Sequence, residues 1–254
     1  GIRTLVGVPD STLKQFCSYN ELLVRSRDDI KHYTAPNEGA AAGIATGVYL
    51  GTGVPALVYM QNSGIGNAVN PITSIMNELV YDIPAVYVIG WRGEPGQKDE
   101  PQHKYMGLIT ESMLNDLSIP YAIIGNETSE EELTGLFDRA KEALKSNKPF
   151  AFLVKKDTFE AGFNLKYENL FTLVREDAIT AILKRVQPSD VIVSTTGKIS
   201  RELYEQSEKL LGQHSQAFLT VGGMGHASMI AYGIAVNKPD KRVYCIDGDG
   251  AVLM

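Results

Sequence analysis

The chain has 254 residues, of which 44% are hydrophobic and 21% charged, and a formal net charge of −6. This composition excludes a disordered or collagen-like chain and suffices for two ordinary α/β domains. The acidic balance provides no general attraction for nucleic acid or an anionic membrane, while leaving room for a local basic site.

Short apolar strands alternate with longer helical patterns, which predicts α/β construction around parallel sheets. Residues 3–8 read as a strand, Pro9-Asp10-Ser11 as a turn, and 12–25 as a helix. Glu38 then precedes a helix of small residues, Gly39-Ala40-Ala41-Ala42-Gly43. One reading is a first-turn acid favoured by the helix dipole. The other is a carboxylate that a flat ring can approach closely, its proton affinity raised by burial unless a basic partner is present. A strand over 56–59 is followed by the loop Gln61 to Asn67. A helix over 71–80 then begins with Pro71, whose missing N–H costs nothing at a first helical position.

Residues 84–90 form the clearest strand. The polar loop 91–103 after it carries Arg92, Lys98 and His103, and loops at strand ends are common ligand sites. Arg92 and Lys98 are candidates for holding an anion, the first as a planar fork and the second as a point charge; an ordinary solvated loop is the alternative. Ser129 and Glu132 form a capping box for a helix over 129–145, and 149–154 is a strand. The polar stretch 155–169 lacks clear periodicity and contains the expected linker, 158–169.

The pattern restarts with a helix over 175–186 and a strand over 190–194. The turn Thr195-Thr196-Gly197-Lys198 lacks P-loop spacing, yet its amides and hydroxyls can catch one phosphate at a helix start. A helix over 200–211 and a strand over 218–221 lead to Gly222-Gly223-Met224-Gly225-His226. Met224 there reads either as core filler or as a wedge under a bent cofactor. A helix over 227–236 and a strand over 243–246 end in Asp247-Gly248-Asp249-Gly250. Asp249 is either part of a tight turn or a ligand for Mg²⁺ beneath a diphosphate; one carboxylate is far short of an octahedral shell.

Cys17 and Cys245 are the only cysteines and have no metal-site spacing. Cys245, in an apolar strand, reads as a small buried hydrophobe. The histidines, His32, His103, His214 and His226, match no zinc motif. No Gly-x-Ser-x-Gly elbow supports a serine hydrolase, and no Gly-x-Gly-x-x-Gly after the first strand supports a nicotinamide dehydrogenase. There is no basic–apolar leader and no apolar run of the roughly 18 residues that span a bilayer, so a cytoplasmic protein is expected. The abrupt ends predict an internal piece of a longer protein.

Gly7-Val8-Pro9-Asp10-Ser11, Asn37-Glu38-Gly39-Ala40-Ala41, Gln61-Asn62-Ser63-Gly64-Ile65-Gly66-Asn67, Gly223-Met224-Gly225-His226-Ala227 and Gly248-Asp249-Gly250 occur in that order. Together they resemble the thiamin diphosphate-dependent 2-oxo acid decarboxylases, over essentially the whole chain. The resemblance implies two open parallel-sheet domains: a pyrimidine-binding domain at 1–157 and, at 170–254, a diphosphate-binding domain truncated on its C-terminal side. It implies thiamin diphosphate and Mg²⁺ bound between subunits, hence a homodimer at minimum, with a larger homo-oligomer as the alternative.

By the same resemblance, Glu38 bonds N1′ of the aminopyrimidine, Asn62 contacts the cofactor, and Gly222, Gly223 and Met224 support its bent form. Asp249 is the metal ligand, with Gly248, Gly250 and Ala251 around the diphosphate; a second side-chain ligand, an asparagine, is expected beyond Met254. Asp10, Ser11 and His103 face the reacting centre, and Arg92, Lys98 or Lys198 meets the substrate anion. The implied reaction converts phosphonopyruvate to phosphonoacetaldehyde and CO₂ through the cofactor ylide. Sulfopyruvate decarboxylation, or a non-catalytic binding protein of the same fold, are the alternatives.

Overall fold

The computed structural model describes residues 1–160, 162 and 168–254. Of the expected linker, residues 161 and 163–167 lie outside the described residues. The chain divides into two compact units, Gly1–Lys166 and Tyr167–Met254.

The first unit contains β1 (Thr4–Gly7), α1 (Lys14–Ser26), β2 (Lys31–Thr34), α2 (Glu38–Thr52), β3 (Leu57–Gln61), α3 (Ile65–Pro71), β4 (Val86–Gly90), α4 (Pro101–Asp116), β5 (Tyr121–Ile124), α5 (Glu130–Lys145) and β6 (Phe150–Val154). Its six strands form one parallel sheet in the order β2-β1-β3-β4-β6-β5. Strands β4 and β6 are buried along their whole lengths, as expected where helices cover both faces of a parallel sheet. Alternation of side chains along each strand separates two cores. Val58, Met60, Tyr87, Ile89 and Leu153 join Ala41, Ala45 and Ile65 of the α2–α3 side. Tyr59, Val86, Val88, Phe150 and Phe152 join Leu13, Phe16 and Ala140 on the other.

The second unit contains α6 (Arg175–Leu183), β7 (Val191–Ser194), α7 (Lys198–Leu211), β8 (Ala217–Leu219), α8 (Ala227–Asn237) and β9 (Val243–Ile246). Its parallel sheet has the order β8-β7-β9. Ile179, Leu183, Ile192 and Leu203 make one small core. Val193, Ala227 and Ala231 make another. Among the described residues, no helix is long and apolar enough to cross a membrane.

Two sequence expectations are corrected here. The helix expected over 71–80 starts much earlier: a 3₁₀ turn, Asn62–Gly64, runs into α3, and a π-helical turn, Ile72–Met76, follows it. Pro71 ends α3 instead of beginning a helix. Lacking an N–H, it leaves the Asn67 carbonyl without its usual helical donor. Gly39 packs against that carbonyl: a Cβ at Gly39 would lie 2.9 Å from it. Cys245 is exposed, not buried. It pairs in register with Val193 on the outer strand β9, and the α8 cover reaches Val193 and Val243 without enclosing Cys245.

Strands β2 and β5 and helix α4 are not among the elements expected from the sequence. Both strands lie at the edges of the sheet, and β2 is the polar tetrad Lys-His-Tyr-Thr. Helix α4 exposes Tyr105 and Leu108 and buries Gly107 and Thr110, which erases an amphipathic signature.

Candidate functional site

Strand β1 lies between β2 and β3, so successive connections leave it in opposite directions. The crevice outside the carboxyl ends of such strands is the usual ligand site of an open α/β sheet. Asp10 follows β1 and is buried. Its Oδ1 accepts a hydrogen bond from Gln61 Nε2 at 2.6 Å, across the crevice to the end of β3. Its Oδ2 accepts from the amides of Thr12 and Leu13 at 2.9 and 3.3 Å. A Cβ at Gly90 would stand 2.4 Å from that oxygen. Asp10 therefore organises the β1–α1 turn and ties it to β3. Ser63 extends the chain, its hydroxyl donating to Gln61 Oε1 at 2.8 Å.

Glu38 opens α2 behind Asn37, whose side chain caps the helix by accepting from the Ala40 amide at 2.9 Å. The Glu38 side chain is buried, and its Oε2 accepts from Asn67 Nδ2 at 2.8 Å. Gly64 forms the wall beside it, where an added Cβ would lie 2.4 Å from Glu38 Oε1. A carboxylate is thus held at a helix start by a neutral amide, with no cation paired to it among the described residues.

The segment after β4 is clamped from several directions. Asn62 is fully buried. It donates to the Arg92 carbonyl at 2.8 Å and to Thr110 Oγ1 at 2.9 Å, and accepts from the Arg92 amide at 3.2 Å. The polar atoms of Asn62 thus join β3, the Arg92 backbone and α4. Arg92 pairs with Asp99, Nε donating to Oδ2 at 2.8 Å and Nη2 to Oδ1. Its Nη1 donates to Ser11 Oγ at 3.1 Å. Asp99 also accepts from the amides of Gly93 and Glu100, each at 2.8 Å. The Arg92 hydrogen bonds chiefly hold the Asp99 carboxyl well below the ordinary carboxylate range. Gly93 adopts a left-handed φ of 71° and packs on α4, where a Cβ at Gly107 would lie 1.7 Å from its carbonyl oxygen.

His103 is not on a loop. Pro101 begins α4, so His103 sits in its first turn, half-buried. Burial, and then the nearby Arg92 charge, push its imidazole below its ordinary value. Lys98 and Lys198 are exposed, Lys198 as the first residue of α7. Gln61, Asn67 and Asp99 are not among the site residues expected from the sequence. The first two stood inside a recognised motif, whereas nothing local distinguishes Asp99 from a solvated loop acid.

In the second unit, the Thr195 amide donates to the Ile246 carbonyl at 2.9 Å, which brings Thr195 and Asp247 together at the carboxyl ends of β7 and β9. Thr195 Oγ1, Ser194 Oγ and Asp247 Oδ2 are buried without a hydrogen-bond partner. Asp249 is exposed, and its Oδ1 accepts from the Gly250 amide at 2.9 Å. A short 3₁₀ turn, Ala251–Leu253, follows. Gly223 and Gly225 take φ of 68° and 92° on either side of Met224. The Met224 methyl reaches the acidic turn, where a Cβ at Gly250 would be 3.3 Å from it.

Residues 1–113 match the family profile described as thiamine pyrophosphate enzyme, N-terminal TPP binding domain. Residues 197–254 match that of thiamine pyrophosphate enzyme, C-terminal TPP binding domain. Together these matches take in more than half of the sequence, and the chain belongs to the thiamine pyrophosphate enzymes. Within that class it is similar to the phosphonopyruvate decarboxylases of Streptomyces hygroscopicus and Streptomyces viridochromogenes, at 34% identity in each case. Both matches cover 100% of this chain and 64% of the relative, so the chain spans just under two thirds of their length. The sulfopyruvate decarboxylase subunit alpha of Methanococcus maripaludis is 32% identical, over 61% of this chain and 86% of that subunit.

The residues fit the cofactor of this class at both ends. In the first unit, the buried Glu38 carboxylate and the Gly64 wall suit a flat heterocycle with a basic nitrogen. In the second, the orphaned hydroxyls and the free Asp247 oxygen are groups that a metal-bound diphosphate would satisfy. Among the described residues no group of three His, Cys, Asp or Glu side chains is arranged to hold a metal. A cation at Asp249 would need its other ligands from phosphate, main chain, water or groups not described.

Proposed function

We propose that the chain carries out the non-oxidative decarboxylation of phosphonopyruvate to phosphonoacetaldehyde and CO₂, with thiamin diphosphate and Mg²⁺ as cofactors and a homodimer as the smallest active unit. The reading is carried by the buried Glu38 carboxylate on the small-residue start of α2, in the unit that matches the N-terminal cofactor-binding domain. Identity to phosphonopyruvate decarboxylases along the whole chain supports this substrate over sulfopyruvate.

When bound, thiamin diphosphate supplies the electron sink for the pair released as the bond to the carboxylate breaks. Glu38 would share a proton with the ring nitrogen of the cofactor, its Oε2 being fixed by the hydrogen bond from Asn67. Met224 and the main chain of Gly222 and Gly223 would support the cofactor from the loop between β8 and α8. Asp249 would hold the metal, and Gly248, Gly250 and Ala251 would offer main-chain groups to the diphosphate at the end of β9. His103, whose affinity for a proton is lowered by burial, is the candidate to pass a proton in the reacting centre. Ser11 and the Asp10-ordered turn line the same edge. Arg92, Lys98 and Lys198 are the candidate partners of the phosphonate. One proton from the site ends on the carbon that carried the carboxylate.

CO₂ release from phosphonopyruvate and sulfopyruvate, compared side by side with thiamin diphosphate and Mg²⁺ present, tests the proposal. A higher kcat/KM on phosphonopyruvate is expected. Equal or better use of sulfopyruvate would overturn the substrate, and release from neither would overturn the activity.

A further inference from the structure

Among the three cations offered to the substrate, only Arg92 is held in a fixed orientation. Its backbone amide and carbonyl are both bonded by buried Asn62, and Asp99 grips one edge of its guanidinium while Ser11 takes a third N–H. A guanidinium has five N–H donors; two remain for a ligand. The Arg92 side chain is 20% exposed, enough to present an edge without releasing the group to solvent. It opens on a cleft of about 430 Å³ whose lining includes Ser11, Lys14, Arg92, Asp99 and Lys156. The cleft lies beyond the carboxyl ends of β1, β4 and β6, where the sheet binds ligands. Lys14, Arg92 and Lys156 outnumber the lining carboxylates of Asp99 and Asp157, and Asp99 accepts three of its four hydrogen bonds from Arg92 and the adjacent Gly93 amide and the fourth from the Glu100 amide.

We propose that this cleft receives the tetrahedral oxoanion that the substrate carries beyond its keto carbon, that Arg92 reads it through its two remaining donors, and that Asp99 is the positioning residue that sets the plane of the guanidinium. This rests on the decarboxylase reading above and deepens it: it makes Arg92 the specificity determinant and leaves Lys98 and Lys198 as solvated charges. A pre-oriented fork favours a ligand with two convergent oxygens over one with a methyl group at that position.

The test compares kcat and KM on phosphonopyruvate and on pyruvate, which lacks the second anion, in the holoenzyme and in Arg92→Ala, Asp99→Asn and Asp99→Glu. Arg92→Ala is expected to lower the preference for phosphonopyruvate over pyruvate on the order of 100-fold. Asp99→Asn should lower it less and mainly through KM, with partial recovery in Asp99→Glu. Equal losses on both substrates, or an unchanged preference, would overturn the proposal.

Calorimetric binding of methylphosphonate to variants that retain the native circular dichroism spectrum gives a second readout that does not depend on turnover. Loss of that binding in Arg92→Ala supports the site, and retention overturns it. A wild-type enzyme that prefers sulfopyruvate but loses its preference over pyruvate in Arg92→Ala would overturn phosphonopyruvate as substrate and uphold the oxoanion cleft.

Discussion

At the scale of single residues, Glu38 and Gly64 form a unit: the glycine exists as the space the carboxylate occupies. Glu38→Gln keeps the shape and removes the shared proton. It is expected to lower kcat by roughly 10²–10⁴-fold while cofactor affinity and thermal stability stay near wild type. Gly64→Ala keeps the acid but displaces it, because its Cβ would meet the Glu38 Cγ, Cδ and Oε1 atoms at 2.4–2.5 Å. The same loss of CO₂ release is expected; full activity in Gly64→Ala would show that the carboxylate need not lie where it does. His103 gives a pH prediction. Its folded-state affinity for a proton lies below the ordinary value of about 6.5, so the unfolded chain binds more protons as the pH falls. The stabilisation is complete above that value and is lost on acidification through it. Chemical denaturation from pH 7.5 to 5.5 should show a shallower acid loss in His103→Gln than in wild type; identical slopes would rule out this linkage. Asp99 acts in a lower window. Its depressed affinity stabilises the fold above about pH 4 and fails as the pH drops further.

At the scale of elements, the site depends on helix starts and on one amide that joins three segments. Asn62 ties β3, the Arg92 backbone and α4 through three hydrogen bonds. Asn62→Ala leaves buried partners unsatisfied and should destabilise the first unit by roughly 2 kcal/mol or more. It should also loosen Arg92, visible as a raised KM before any loss of fold. Helix α5 offers a control remote from the site. Ser129 and Glu132 complete the reciprocal cap expected from the sequence, and Ser129→Ala should cost about 1 kcal/mol with unchanged kcat/KM. A change in kinetics there would mean that stability alone, not site geometry, explains the Asn62 effect.

For the whole molecule, each of the two units carries groups suited to one end of a single cofactor: Glu38 in the first, and the acidic turn with its orphaned hydroxyls in the second. Apolar side chains also remain uncovered, with Met229 and Tyr232 on α8 more than 60% exposed. We expect sedimentation to report a dimer or larger assembly, and specific activity to fall on dilution through its dissociation range. A fully active monomer would refute an active site shared between subunits.

The alternating α/β grammar, the cap of α5, strand β9 and the motif positions were legible because periodicity and capping are local properties of the chain. The family was legible for a different reason: glycines and carboxylates recur where a backbone must approach a ligand. Edge strands β2 and β5 were not legible, since their pairing depends on neighbours distant in sequence. Nor was α4, which packs on a glycine contact that carries no hydrophobic signal. The partners of Asn62, Asp10 and Arg92 were equally hidden. Asn62 meets Thr110, and Asp10 meets Gln61, only after the sheet has set its strand order. Residue types thus declared which chemistry was present, while tertiary packing decided which polar groups hold the site together and which remain free to meet a ligand, because a hydrogen bond across fifty residues has no period to betray it.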